Sequence, residues 1–214
     1  MLQQMGSSAQ RIEGEAGHRP HWREELYPVI FGEPMAPHEI LVLLDFANPI
    51  THNVWDAVVQ ASRTVSPSKA KIAVFGNSAE KYGTDLMGFA IWLSYSRKGR
   101  GMDYLTWALA RWDTIKADQK RLRGAAIPFE MEFDAVASQT DYPMIFDYMN
   151  KLVPPVREMD EVTLSRYCYD AGNVNMYQAV QIAAYYGVKK LPAIIVDGKV
   201  LPQASADAIV AAVK

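Results

Sequence analysis

The chain has 214 residues, half of them apolar, with 22 basic side chains against 24 acidic ones and one cysteine. That length holds one large domain or two small ones, and a net charge of -2 carries no general bias toward nucleic acid or anionic lipid. One cysteine excludes, within the chain, a disulfide, a Cys-x-x-Cys redox pair and a cysteine-based zinc site.

Residues 1 to 21 are rich in Gly, Ser, Gln, Arg and Glu and read as a flexible extension. They show no basic stretch followed by an apolar run, so no secretory signal is expected in the sequence as it stands. His18 and His21 lie there without further ligands nearby, and no metal site is expected. From Trp22 to Phe31 the chain turns apolar, and this arm should dock, on its own domain or on a partner chain.

Ile40 to Phe46 is a nearly unbroken apolar run between Pro37 and Pro49, the mark of a strand buried on both faces. Val54, Val58, Ala61 and Val65 then fall on one helical face, and Lys71 to Phe75 gives a second strand. Two helices follow, one through Leu86, Ala90 and Leu93, the next through Leu105, Ala108, Leu109, Trp112 and Ile115. The tryptophans and tyrosines between Asp85 and Trp112 recur at helical spacing, which favours core packing over a recognition surface, with Arg97, Lys98 and Arg100 in a solvated loop. A third helix is expected at Asp141 to Leu152, a fourth at Glu161 to Tyr169 carrying an inward Cys168, and a fifth through Met176, Ala179, Val180 and Ala183 up to Gly187. Ala193 to Val196 and Lys199 to Leu201 form a hairpin about Asp197-Gly198, and Ser205 to Val213 is a last helix. No stretch is long and apolar enough to span a bilayer.

The order β-α-β, helices, β-β-α is joined by two sequence patterns. GEPMAP followed by ILVLLDFANPITHNVW resembles the opening of the bacterial disulfide oxidoreductases of the DsbA type, where a G-x-P-x-A-P lead precedes a strand ending in D-F/Y-x-C-P-x-C. AAYYGVKKLPAIIVDGKVL resembles that family's second half, with a helix ending in Gly-Val, a cis-proline and a strand running into a D/N-G hairpin. KYGTDLMGFAIWLSYSRKG is similar to the start of its inserted helices. The resemblance implies an α/β thioredoxin fold with an inserted helical domain. It divides the chain into an extension and arm (1 to 31), a first thioredoxin half (32 to 83), the insert (84 to 172) and a second half (173 to 214).

Under that resemblance Asn48 and Thr51 occupy the two cysteine positions, with Pro49 and Ile50 between them. An amide and a hydroxyl cannot perform thiol exchange, so no dithiol oxidoreductase is expected. Asn48 or Thr51 would cap the first helix, and Leu191-Pro192 would face it, offering a backbone edge to an extended segment. These readings make Asn48, Pro49, Ile50, Thr51, Leu191 and Pro192 the candidate binding residues of a redox-inactive module for a protein or peptide partner, as a subunit of a larger assembly or alone. No cofactor is then needed, and the residue at position 48 should matter little to the edge.

The alternative starts from N-P-I-T at Asn48 to Thr51, which is similar to the S-P-Y-S of kappa-class glutathione transferases and 2-hydroxychromene-2-carboxylate isomerases. There Asn48 would hold a glutathione thiolate, glutathione would be the cofactor, and Thr51 and His52 would be further candidates for chemistry. His52 has Asp45 and Asp56 near it in sequence, though a solvated helix-start histidine accounts for it as well. A free thiol and no leader point to the cytoplasm, while an organelle lumen or periplasm stays open for a processed chain.

Overall fold

The computed structural model describes residues 28–77, 83–96, 100–115, 117 and 161–214. The arm before Pro28, the residues between 117 and 161 with the helix expected at Asp141 to Leu152, and His18, His21, Arg97 and Lys98 lie outside the described residues.

Strand β2 (His38–Asp45) is the axis of the fold. It pairs in parallel with β3 (Ala70–Asn77) and antiparallel with β4 (Ala193–Val196), and Ile40 to Leu44 are at most 1% exposed. A strand flanked on both edges and covered on both faces has no use for polar side chains, which is why the sequence runs apolar there without alternation. The sheet order is β1-β3-β2-β4-β5, with β1 (Val29–Phe31) and β5 (Lys199–Val200) as antiparallel edges. Strand β1 is the end of the expected docking arm. It adds itself to the sheet through Val29 and Phe31 against Ala73 and Ile72.

Side-chain parity along β2 divides the core. Ile40, Val42 and Leu44 face one cluster, which includes Val54 and Val58 of α1 (Ile50–Ser62) and Ile209 of α5 (Ala206–Ala212). The same cluster reaches α2 (Gly83–Ser96) and α3 (Arg100–Ala110) through Phe89, Ala90, Tyr104 and Leu105. Leu41 and Leu43 face the opposite cluster with Phe75, Ile195, Ala179 and Ile182. Each such side chain withdrawn from water contributes about 1.5–3 kcal/mol before conformational entropy is subtracted. Trp92, Tyr104 and Trp112 are buried, so the aromatic run belongs to the core, as its spacing indicates. Trp55 Nε1 donates to Thr106 Oγ1 at 3.0 Å, tying α1 to α3.

The insert returns to the sheet on one helix, not two. Helix α4 runs from Glu161 to Tyr185 without a break, where separate helices ending at Tyr169 and starting near Met176 were expected. Asp170 to Asn173 looks like a linker because Gly and Asn are poor helix formers, with a cost near 1 kcal/mol for glycine. Tertiary contact overrides that local cost. Cys168, Gly172, Asn175, Ala179 and Ile182 make one buried stripe, and the two polar or small members hid it from a hydrophobic pattern. Close backbone approach demands a glycine on the facing helix: a Cβ on Gly88 of α2 would stand 1.7 Å from the Cys168 carbonyl oxygen.

Asn175 lies at the edge of β3 beside the start of β1. Its Oδ1 accepts from Gly76 N at 2.9 Å and its Nδ2 donates to Val74 O at 3.1 Å, so one carboxamide pairs with the β3 backbone as a strand residue would. Asn175 is 1% exposed, and without it both backbone groups would be buried unpaired. At the other end of the sheet Asp197, with φ of 46°, turns β4 into β5 and bonds Glu39 N through its carboxylate at 2.8 Å and the His38 ring at 2.7 Å. Partial burial opposes its ionisation, yet the Glu39 N–H and His38 together hold its carboxyl below the usual range.

Asn175→Leu should therefore lower unfolding stability by about 2 to 6 kcal/mol, since two buried backbone groups lose their partners at about 1 to 3 each. Urea unfolding followed by circular dichroism should show a lower midpoint at unchanged slope. A midpoint unchanged from wild type would mean that the carboxamide does not bear on the β3 edge.

Candidate functional site

Strand β2 ends at Asp45, and the chain turns into α1 through Phe46, Ala47, Asn48 and Pro49. Asp45 starts the turn: its carboxylate accepts from Ala47 N at 3.0 Å and its carbonyl from Asn48 N at 3.0 Å. Pro49 opens the helix with φ of -60°, the value its ring fixes in any case. Of the two residues expected as caps, Asn48 takes the role, because its Oδ1 accepts from Ile50 N at 3.0 Å. Thr51 does not. It is 1% exposed, and its hydroxyl turns back to bond the Asp45 carbonyl, which fastens the helix start to the strand end.

The other wall of the site is the loop before β4. The Leu191-Pro192 peptide bond is cis, and the two residues are half-buried. The Asn48 side chain spans the gap, with Nδ2 donating to the Leu191 carbonyl at 2.9 Å. One carboxamide thus serves two elements at once, the first turn of α1 and the loop into β4. The sequence reading set Asn48 and Leu191-Pro192 face to face, and the structure adds a direct bond between them.

Pro49, Ile50 and His52 point outward, and Ile50 is 57% exposed. The candidates therefore fall into three groups. Asn48, Leu191 and Pro192 are in mutual contact or adjacent; Pro49, Ile50 and His52 form the exposed lip; Thr51 is behind it in the core. Cys168 is fully buried on α4 with its carbonyl packed against Gly88. Such a thiol has no access to a substrate disulfide. No group of three or more metal-ligating side chains occurs among the described residues, and no helix there is long and apolar enough to cross a membrane.

Asn175 is the structural residue that sequence reasoning missed. The only signal was a polar residue on the apolar stripe of a helix.

With β2, α1 and the cis-proline loop so placed, the architecture decides the comparison. The fold is that of the DsbA-like thioredoxin domains. A solved structure described as a protein-disulfide isomerase from Novosphingobium aromaticivorans superposes with a TM-score of 0.59 at 17% identity, covering 86% of this chain and 96% of that one. BdbD from Bacillus subtilis, in its oxidised form, gives 0.51 at 12% identity, over 88% and 91% of the two chains. DsbA of Chlamydia trachomatis gives 0.50 at 13% identity, over 90% and 93%. No protein-family model matches the sequence, and no curated protein does either. The DsbA-like fold carries a single cysteine here, with Asn48 and Thr51 at the start of the first helix where the sequence pattern sets the redox pair.

Asn48→Ala should cost about 1 to 3 kcal/mol, the sum of a lost helix cap and a lost bridge to Leu191, read as a fall in thermal unfolding midpoint. Asn48→Asp keeps the acceptor for Ile50 N beside the positive end of the helix and should recover part of that loss. Equal stability of wild type and Asn48→Ala would show that the bridge to Leu191 does not hold the site together.

Proposed function

We propose that this chain is a redox-inactive member of the DsbA-like fold that binds an extended segment of a protein partner at the Leu191-Pro192 edge, alone or as a subunit of a larger assembly. The observation that carries the reading is the bond from Asn48 Nδ2 to Leu191 O at 2.9 Å. It sets a neutral carboxamide in the position from which an exchange enzyme would present a thiolate. Disulfide exchange requires a thiolate to attack sulfur and a second thiol to resolve the mixed disulfide. The lone Cys168 supplies neither, because it is sealed between α2 and α4.

What remains at the site supports binding. A backbone edge at Leu191, a lip of Pro49 and Ile50, and a rigid helix start fixed by Thr51 and Asn48 suit strand addition, where main-chain hydrogen bonds supply affinity and side-chain pockets supply choice. The division into an extension, two thioredoxin halves and an insert fits this use, with α4 running straight through residue 172 to join insert and second half.

The second reading, a glutathione-dependent transferase or isomerase, asks Asn48 to hold a thiolate. One of its two amide hydrogens is engaged with Leu191, which leaves the other for a ligand. Asn48 is then the only donor of the set at the site, since the Thr51 hydroxyl bonds the Asp45 carbonyl and His52 lies on the exposed face.

Two measurements separate these readings. Wild-type protein should reduce insulin with dithiothreitol no faster than the uncatalysed reaction, and the double substitution Asn48→Cys with Thr51→Cys should restore catalysis to the same fold. Catalysis by wild type that disappears in Cys168→Ser would overturn the redox-inactive reading. Reduced glutathione at millimolar concentration should leave the melting temperature of wild type unchanged, whereas a true glutathione site would raise it as RT ln(1 + [L]/Kd).

A further inference from the structure

We infer that the segment taken at the Leu191-Pro192 edge is acidic, with glutamate or aspartate side chains that meet Lys189 and Lys190. This rests on the edge-binding reading above and names the chemistry of its ligand.

Lys189 and Lys190 immediately precede the edge, and both are exposed. Neither ammonium meets a carboxylate among the described residues. A single surface lysine needs no such partner. Two adjacent ones hold like charges side by side, and a carboxylate brought to them relieves that repulsion.

The positive end of α1 adds to the same field. Its first turn carries no acidic residue, and Asn48, whose side chain accepts from Ile50 N there, is neutral. The bond from Asn48 to the Leu191 carbonyl sets that helix end against the residue that follows the two lysines. Acids on the neighbouring elements do not cancel this charge. Asp45 is held within its own turn, where it accepts from Ala47 N. Asp56 lies on α1 one turn beyond His52, about 9 Å along the axis from Ile50. Asp207 stands in the first turn of α5, at that helix's own positive end. Glu39 and Asp197 meet at the far end of β2, about 20 Å from Asp45 and about two Debye lengths away in 0.1 M salt. An acidic segment therefore gains at this edge, and a basic one is turned away.

The test uses three blocked pentapeptides, acetyl-Thr-Xaa-Val-Xaa-Thr-amide with Xaa as glutamate, glutamine or lysine, titrated into the full chain by calorimetry. Alternation puts both Xaa side chains on one face of an extended segment, and glutamine keeps the shape of glutamate without its charge. In about 10 mM salt the glutamate peptide should bind wild type about three-fold tighter than the glutamine peptide, or more, the effect of one or two exposed ion pairs. The lysine peptide should bind more weakly than either. In about 1 M salt, where the Debye length has fallen from about 30 Å to about 3 Å, the three affinities should converge. Lys189→Glu with Lys190→Glu should reverse the order, while Lys189→Arg with Lys190→Arg should keep it. Equal affinity of the glutamate and glutamine peptides for wild type in low salt, or a glutamate preference that survives the double charge reversal, would overturn the inference and leave edge binding standing. Binding of none of the three to folded wild type would overturn both together.

Discussion

Every backbone N–H and C=O withdrawn from water needs a partner, and at the ends of this sheet the strands themselves run out before that need does. Two asparagine carboxamides make up the difference. Asn175 pairs with the edge of β3 beside the start of β1, and Asn48 joins the first turn of α1 to the loop before β4. An amide side chain is the one neutral group that carries a donor and an acceptor in the geometry of a peptide unit, so it can stand in for a missing strand residue. The two sites differ in surroundings. Asn175 is buried on the sheet-facing side of α4, whereas Asn48 borders the exposed lip of Ile50.

The same constraint explains how the insert is anchored. Helix α4 must bring Asn175 to the β3 edge and Ala179 and Ile182 to the second core face, while passing close enough to α2 that only glycine fits at position 88. These demands keep the helix continuous from Glu161 to Tyr185 despite the weak helix formers near Gly172. A long helix fixed at both the insert and the sheet couples the two parts of the molecule mechanically. The cis-proline loop follows that helix within a few residues.

The corner without a thiol pair is well ordered. In an exchange enzyme the first helix and the cis-proline loop face each other across a reactive sulfur; here a hydrogen bond crosses the gap. The Asp45 carbonyl, bonded by both the Asn48 N–H and the Thr51 hydroxyl, shows how closely this corner is tied down.

The sequence by itself determined a great deal. An apolar run without alternation made β2 a central strand, Asp197-Gly198 made the hairpin, and the two patterns around Asn48 and Pro192 marked the fold and the absence of a redox pair. Those are local signals, set by period, turn chemistry and short-range pattern. Only the tertiary structure decided which candidates meet. Thr51 and Asn48 are both ordinary cap residues, yet the end of β2 draws the Thr51 hydroxyl inward and leaves Asn48 as the cap. Asn48 and Leu191 lie 143 residues apart, and Asn175 and Val74 lie 101 apart, so no local pattern can register either pairing. The continuity of α4 is of the same kind, because the burial that sustains it is supplied by strands and a helix distant in the chain.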